Sequence, residues 1–368
     1  MSAENPGHLK TLQSLRGLAA LTVLVHHCLR LVADADNAWF VSEHFFNAHA
    51  AVVVFFVLSG YVLTLSLLRG SFSASSVWQF CAKRVFRIYP ALWIGVALGT
   101  CYLLTLSNPP QTFFSDWANS LYQLPAANTS AIIGSLLGLR TELLPPLWTI
   151  KVELIASIIL LPITAFLLNH YKSRFFPIVL LSPLVLTSFL LPNAATSLYL
   201  YQFVIGAICA LHTHKEMYRA QISTPVFAAS IACLIFFRQL SDWPYHHPLP
   251  SLIEACASAV LILGLTQGKA KNTLSLPPLV RLGDISYGIY ILHLPIALFA
   301  TSLTAPLLLE SGVTPDATSV FIVLLVAAIT LPAAALMYRW VELPCITLGR
   351  KTVNGISSIF SARTSHVE

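Results

Sequence analysis

Residues 12–32, LQSLRGLAALTVLVHHCLRLV, decide the fold class, because this apolar stretch is long enough to cross a lipid bilayer as one helix. It nevertheless contains Arg16 and His27, and ionisable side chains at membrane depth are costly and usually functional. The two lie eleven residues apart, which on an α-helix is about three turns plus roughly 20°. Their side chains therefore share one helix face, whereas His26 points about 100° away. The stretch predicts a membrane-spanning helix with one polar seam.

The composition of the chain predicts that many such helices follow. Of its 368 residues 56% are hydrophobic and only 10% are charged, which is typical of a membrane protein with several spans. We predict an all-α, polytopic integral membrane protein with about ten transmembrane helices. Their apolar runs lie near residues 12–32, 46–68, 88–106, 147–168, 176–191, 196–212, 225–240, 250–267, 280–303 and 317–338.

The distribution of positive charge predicts the orientation of these helices. With the N-terminus inside, most of the 21 Lys and Arg residues fall in inner segments, as the positive-inside rule requires. Both termini are therefore predicted to be cytoplasmic. The net charge of +6 is then an orientation signal and does not indicate nucleic-acid binding, since no basic stretch is interleaved with aromatic residues.

The cysteines and glycines carry no recognisable cofactor motif. Seven cysteines are scattered without CxxC or His/Cys metal spacing, and no glycine-rich phosphate loop or GxSxG motif is present. We therefore expect no metal site and no permanently bound cofactor. One membrane domain is predicted for residues 1–345, followed by a short cytoplasmic tail at 346–368.

A basic constellation precedes the third predicted helix. Residues 78–93, WQFCAKRVFRIYPALW, bring Lys83, Arg84 and Arg87 within about one helical turn. Three cations at that spacing suit a diphosphate and indicate a cytoplasmic site for a phosphorylated donor. The alternative is a topology anchor that binds lipid phosphates, and the pattern alone leaves both interpretations open.

Three other residues each have a packing interpretation and a functional one. Ser59 and Gly60 interrupt a bulky apolar helix, where small residues let a neighbouring helix approach. His293 lies twelve residues beyond Arg281, about 18 Å along a helix and therefore near the bilayer midplane. A lone buried histidine is either a satisfied structural group or part of a polar pathway.

The fourth predicted helix begins with PPLWTIKVE and carries Lys151 and Glu153. Residues two apart on a helix diverge by about 200°, so these two cannot pair on one face. Glu153 must therefore find its own partner. We expect it to face the polar interior in the outer half of the membrane, where the seam that contains His27 ends.

Six motifs along the chain occur in the order, and at roughly the spacing, of the integral membrane acyltransferase 3 family. They are LRGLAALTVLVHH, FFVLSGYVL, KRVFRIYPALW, PPLWTIKVE, ISYGIYILHLPI and VELP, and they span about residues 11–345. The chain thus resembles a family whose members O-acetylate bacterial lipopolysaccharide, peptidoglycan and exopolysaccharide. The resemblance implies that an acyl group, commonly acetyl, passes from cytoplasmic acyl-CoA to a glycan hydroxyl at the outer side of the bacterial inner membrane.

The resemblance also assigns roles to individual residues. The family's first motif pairs an arginine with a histidine eleven positions later, which here selects Arg16 and His27. The family's arginine-rich stretch before the third helix, here Lys83, Arg84 and Arg87, would bind the acyl-CoA donor.

Further family motifs contain Trp148 and Tyr290. Together with Ser59, Gly60 and His293, these residues are expected to line or support the path between the two sides of the membrane.

Acyl transfer to a sugar hydroxyl needs a base, and imidazole suits that task near neutral pH. We expect His27 to be this base in a direct transfer, with an acyl-histidine intermediate as the alternative route. Arg16 would hold the thioester carbonyl or the phosphate end of the donor, and Glu153 would orient His27 or bind the acceptor.

Two other functions use the same polar residues. Buried Arg, His, Glu and Lys in about ten helices also describe a proton-coupled transporter, or a noncatalytic membrane partner of polysaccharide assembly. The sequence shows no inverted repeat and no matching pair of glycine- or proline-broken segments, which favours acyl transfer over transport.

Overall fold

A computed structural model of the chain describes residues 6–68, 72–106, 111–121, 128–170, 175–191, 195–214, 221–240, 243 and 246–364. Within these residues the fold is helical, and β-type backbone pairing is confined to an isolated bridge between Val32 and Phe114. The predicted all-α class is confirmed. In chain order the helices are α1 (Pro6–Leu29), α2 (Asp36–Phe45), α3 (Ala48–Leu68), α4 (Ala74–Thr105), α5 (Asp116–Leu121), α6 (Thr129–Leu136), α7 (Leu147–Ile155), α8 (Leu161–His170), α9 (Phe176–Leu190), α10 (Ala195–His214), α11 (Thr224–Phe236), α12 (Pro248–Thr266), α13 (Lys271–Leu274), α14 (Pro277–Asp284), α15 (Ser286–Glu310), α16 (Pro315–Met337) and α17 (Leu343–Thr364).

Seven stretches of described helix are long and apolar enough to cross a membrane, which confirms a multi-pass membrane protein. They contain α3, α4, α7 with α8, α10, α12, α15 and α16 with α17. Two further predicted spans correspond to the shorter apolar helices α9 and α11, and the remaining one to α1. The total of ten spans and the cytoplasmic termini stay predictions.

The third predicted helix begins fourteen residues earlier than the apolar pattern indicates, at Ala74 instead of residue 88. Ser73 and Ser76 form a capping box that satisfies the first backbone N–H groups, so the helix can begin in a polar segment. The helix then runs through Pro90 without ending. Consequently the three basic residues expected just before the helix lie within it.

A non-spanning segment, residues 128–146, lies against the middle of α4. The hydroxyl of Tyr89 donates to the Leu137 carbonyl at 3.1 Å, and the indole of Trp93 donates to the Leu136 carbonyl at 3.0 Å. Leu143 and Leu144 within the segment are fully buried. The segment thus lies against α4 immediately before α7 begins at Leu147, which is itself fully buried.

A close helix contact joins α3 to α10 through two glycines. A Cβ on Gly60 would lie 2.1 Å from the carbonyl oxygen of Phe203, and a Cβ on Gly206 would lie 2.0 Å from that of Val57. Only glycine fits at such an approach. The packing interpretation of Gly60 therefore matches the structure.

Two π-helical turns interrupt otherwise continuous helices. One, Ala156–Leu160, joins α7 to α8, and the other, Tyr338–Glu342, joins α16 to α17. Since α17 runs from Leu343 to Thr364, no break in the described helix marks the domain boundary predicted between 345 and 346.

Candidate active site

Five helices, α1, α3, α4, α7 and α15, line a cavity of about 130 Å³ beside Arg16 of α1. We call it the Arg16 cavity. Its polar lining brings together most of the residues that the sequence singled out, and they come from regions far apart in the chain. The polar lining residues are Arg16, Ser59, Arg84, Arg87, Thr149, Glu153, Ser286, Tyr287 and Tyr290.

Glu153 lies in this cavity and not beside His27, which corrects its predicted position. Its carboxylate forms an ion pair with the guanidinium of Arg84, and both side chains are largely buried. The Nε of Arg84 has no hydrogen-bond partner among the described residues. Glu153 thus lines the same cavity as Arg16, and its carboxylate is held by Arg84 and not by His27.

Toward the other end of α1, His27 contacts His293. Nδ1 of His27 lies 2.9 Å from Nε2 of His293, and the two rings meet edge to edge, with their centroids 5.1 Å apart and their planes 21° from parallel. Nδ1 of His293 lies 2.8 Å from the carbonyl oxygen of Tyr290 and 3.1 Å from that of Ile289. His27 on α1 and His293, the lone histidine of α15, thus form a pair.

The hydrogen bonds fix the tautomers of this pair. A carbonyl oxygen only accepts, so Nδ1 of His293 carries its proton. His293 is fully buried among apolar groups, where an imidazolium without an anionic partner would be costly. It is therefore neutral and its Nε2 accepts, which makes Nδ1 of His27 the donor. The lone pair of His27 lies on Nε2.

Trp117 of α5 packs against His27, and Arg30, just after α1, lies over the Trp117 ring. The ring of Trp117 lies 5.3 Å from that of His27, and the guanidinium of Arg30 lies 5.7 Å from the Trp117 ring. Arg30 also pairs with Glu43. This end of α1 is polar and partly open, as an acceptor site would require.

The neighbouring His26 is held by backbone and side-chain groups of the next helix. Its Nδ1 lies 2.8 Å from the Phe46 carbonyl oxygen and 3.0 Å from the Ser42 hydroxyl. These bonds tie α1 to α2, so the ring serves to join the two helices.

Tyr290 lies between the cavity and the histidine pair. Its hydroxyl lines the Arg16 cavity and accepts a hydrogen bond from Thr149 at 2.8 Å. Its ring centroid lies 5.8 Å from that of His293, one helical turn further along α15. Of the predicted support residues, Tyr290 is the one that touches both regions.

Besides the histidine pair and Gly60, two further predicted residues, Trp148 and Lys83, lie outside the Arg16 cavity. Trp148 packs in an aromatic cluster, 5.1 Å from the ring of Tyr199 and 6.3 Å from that of Phe56. Lys83 is exposed and lines a second cavity of about 420 Å³. This second cavity, which we call the antechamber, shares Arg84 and Arg87 with the Arg16 cavity, so the two are adjacent.

The sequence interpretation missed a second polar centre, built around Glu254 of α12. The fully buried carboxylate contacts Nδ1 of His49 at 2.5 Å and a guanidinium nitrogen of Arg238 at 3.1 Å. Nε2 of His49 lies 3.0 Å from the Tyr199 hydroxyl. The signal was available, since Glu254 is an ionisable residue inside a predicted span. The cluster joins α3, α10 and α12.

Comparison with known proteins places the chain among acyltransferases. A family model described as an acyltransferase domain matches residues 9–339. Nodulation protein 10 of Rhizobium leguminosarum bv. viciae is 24% identical over 78% of this chain and 83% of its own length. The O-acetyltransferase OatA of Staphylococcus aureus is 21% identical over 94% of this chain, which covers 58% of that relative. No solved structure matches the chain.

Proposed function

Because this chain belongs to the acyltransferase 3 family, as a multi-pass membrane acyltransferase, we propose that it O-acylates a glycan. The donor is cytoplasmic acyl-CoA, taken here as acetyl-CoA. The acceptor is a hydroxyl of a cell-surface or exported polysaccharide, or of a lipid-linked sugar, at the outer face of the bacterial inner membrane. The family match and the relative named as an O-acetyltransferase support this assignment.

The observation that carries the proposal is the arrangement along one face of α1. Arg16 lines a cavity with two further arginines, and His27 lies eleven residues further along the helix with an unprotonated Nε2. The separation along the axis is about 16 Å. A donor that lies along this face has its phosphorylated handle at the arginines and its acyl group toward His27.

His27 acts as the general base in a direct transfer. Its Nε2 takes the proton from the acceptor hydroxyl while the oxygen attacks the thioester carbonyl. The carbon–sulfur bond then breaks, and the leaving thiolate takes the proton back from His27, so that the O-acyl glycan and free CoA are formed. His293 keeps the Nδ1 proton of His27 in place through both steps.

The cavity arginines bind and neutralise the donor. Arg16 and Arg87 present cationic groups to the cavity, while Arg84 is held by Glu153. A guanidinium binds phosphate and carbonyl oxygens with fixed geometry, so these residues suit the diphosphate and the pantetheine arm. In this assignment Glu153 orients Arg84 and no longer orients the base.

The test uses purified protein in vesicles, acetyl-CoA labelled in the acetyl group and the polysaccharide of the native membrane. We expect the label to become covalently attached to polysaccharide with the wild-type protein and not with His27→Ala. A matched control is His26→Gln, which retains polar contact with α2 and leaves His27 intact. Labelled solute that is trapped in vesicles without covalent change would instead indicate a transporter. Full transfer by His27→Ala would refute the assignment of the base.

A further inference from the structure

The antechamber beside the Arg16 cavity carries more positive charge than the catalytic proposal uses. Its charged lining consists of Lys83, Arg84 and Arg87 of α4 and Arg350 of α17. No acidic residue lines it within the part of the chain that the structure describes. A cleft lined by four cations and no carboxylate concentrates anions, although one of the four, Arg84, is already paired with Glu153.

Arg350 reaches this cleft because α17 lies unusually close to α4. A Cβ on Gly349 would lie 2.6 Å from the Cβ of Phe86, so the contact requires glycine at that position. The next residue, Arg350, lines the antechamber together with the basic residues of α4. It lies beyond residues 9–339, which the family model matches.

The positions of the other cations nearby show that this placement is specific. Arg339 and Lys351 line a separate cavity together with Leu343 and Leu348, and neither lines the antechamber. The positive-inside rule accounts for cations at this surface in general. The rule does not account for Arg350 of α17 lining the same cleft as the basic residues of α4.

The cations of this cleft come from two helices, α4 and α17. Cations on two helices can hold phosphate groups that project in different directions, whereas a band on one helix suits a flat layer of lipid headgroups. Arg84 also has an unbonded Nε while its other end is held by Glu153. A buried donor without a partner indicates a group that binds there during function.

We infer that the antechamber binds the phosphorylated nucleotide end of the acyl-CoA donor, with Arg350 and Lys83 on its phosphates. Arg84 and Arg87, which line both cavities, then hold the diphosphate that joins the nucleotide to the pantetheine arm beside Arg16. The inference rests on the proposed function, because it takes acyl-CoA as the donor. It adds a binding residue from α17 and defines the part of the donor that the enzyme recognises.

The experiment measures the binding of CoA and of pantetheine, which lacks the nucleotide and its phosphates, to the full-length protein in nanodiscs. We expect Arg350→Ala to weaken CoA binding about tenfold, which is typical of one lost charge-assisted contact. Pantetheine binding should not change. Lys351→Ala, which removes the neighbouring charge outside the antechamber, is the matched control and should bind CoA like the wild type.

The lipid composition of the nanodiscs separates a CoA phosphate from a lipid phosphate. If the cleft binds CoA, the effect of Arg350→Ala persists in discs of zwitterionic lipid alone. Equal CoA binding by wild type and Arg350→Ala, or an effect confined to discs with anionic lipid, would overturn the inference and leave the proposed function standing. If the wild-type protein bound no CoA, acyl-CoA would be refuted as the donor. Equal CoA binding by wild type and Arg350→Ala would instead refute only the inference about the antechamber.

Discussion

Nδ1 of His27 donates a hydrogen bond to Nε2 of His293 at 2.9 Å, and the two residues belong to α1 and α15, the first and a late helix of the bundle. The same bond that orients the imidazole of His27 leaves its other nitrogen free to accept a proton. His293 is itself held by the backbone carbonyls of Tyr290 and Ile289. The chain thus fixes the tautomer of the proposed base without a carboxylate.

Substitution of His293 tests whether it positions the base. In His293→Gln the amide oxygen can accept from His27 and the amide nitrogen can donate to the Tyr290 carbonyl, so most activity should remain. In His293→Leu both bonds are lost, and we expect kcat to fall about a hundredfold, as for a misplaced catalytic group. The measurement is kcat for acetyl transfer per folded protein. Equal activities of the two variants would show that His293 serves only packing.

Substitution of Arg16 tests whether the cavity needs a planar guanidinium or only a positive charge. Arg16→Lys keeps the charge but loses the forked donors, so we expect KM for acyl-CoA to rise about tenfold. Arg16→Gln should be more severe, because the charge is lost as well. Steady-state kinetics with varied acetyl-CoA give both values. Wild-type kinetics for Arg16→Lys would contradict the idea of a geometric contact.

The ion pair between Arg84 and Glu153 should be visible as energetic coupling in donor binding. Arg84→Gln removes a cation and leaves the Glu153 carboxylate to repel an anionic donor, so we expect a marked loss of affinity. The double variant, with Glu153→Gln added, should recover part of that loss. A double-mutant cycle on CoA affinity measures the coupling, which for residues in contact is about 0.5–3 kcal/mol. Strictly additive effects would contradict the observed pairing.

The helices of this protein are predictable from sequence where the apolar run itself makes the span. Such runs identify α3, α10, α12 and α15 because length and hydropathy are local properties. The beginning of α4 escaped this criterion, since its first turns are polar and depend on the capping box at Ser73. A hydropathy pattern indicates which residues can lie in the membrane, but it does not indicate where the hydrogen-bonded helix begins or ends.

Some features of the candidate site follow from local sequence, and others depend on tertiary packing. That Arg16 and His27 share a face follows from helix geometry alone. The contact between His27 and His293 joins residues 266 positions apart, so no local pattern contains it. The position of Glu153 depends on residues 128–146 lying against α4, which is a tertiary effect. Sequence therefore identified the chemical groups, and packing determined their partners.

The buried cluster around Glu254 should contribute to stability and not to chemistry. Glu254→Gln leaves the buried Arg238 and His49 without their anion, and breaking a buried ion pair typically costs about 3–5 kcal/mol. The control is Glu142→Gln, which breaks a more exposed pair with Arg140 and should cost less than about 1 kcal/mol. Thermal unfolding in detergent compares the two. Similar losses would show that burial of the cluster carries no special cost.

The glycine contact between α3 and α10 gives the sharpest test of the helix packing. In Gly60→Ala the new methyl group would meet the Phe203 backbone, which cannot move aside as a side chain can, so the helices must separate. We expect a loss of at least about 1–3 kcal/mol in the free energy of unfolding, as for overpacking in a core. Transfer activity should fall with it, because the next residue, Ser59, lines the Arg16 cavity.

Gly355 supplies the matched control for this substitution. A Cβ at Gly355 meets no atom within 4 Å, so Gly355→Ala adds the same methyl group in α17 without a clash. Alanine is also the better helix former, by about 1 kcal/mol. Unfolding in detergent should therefore show Gly355→Ala at least as stable as the wild type. If Gly60→Ala were equally stable, the close approach of α3 and α10 would be refuted, and with it the position of Ser59 on the cavity wall.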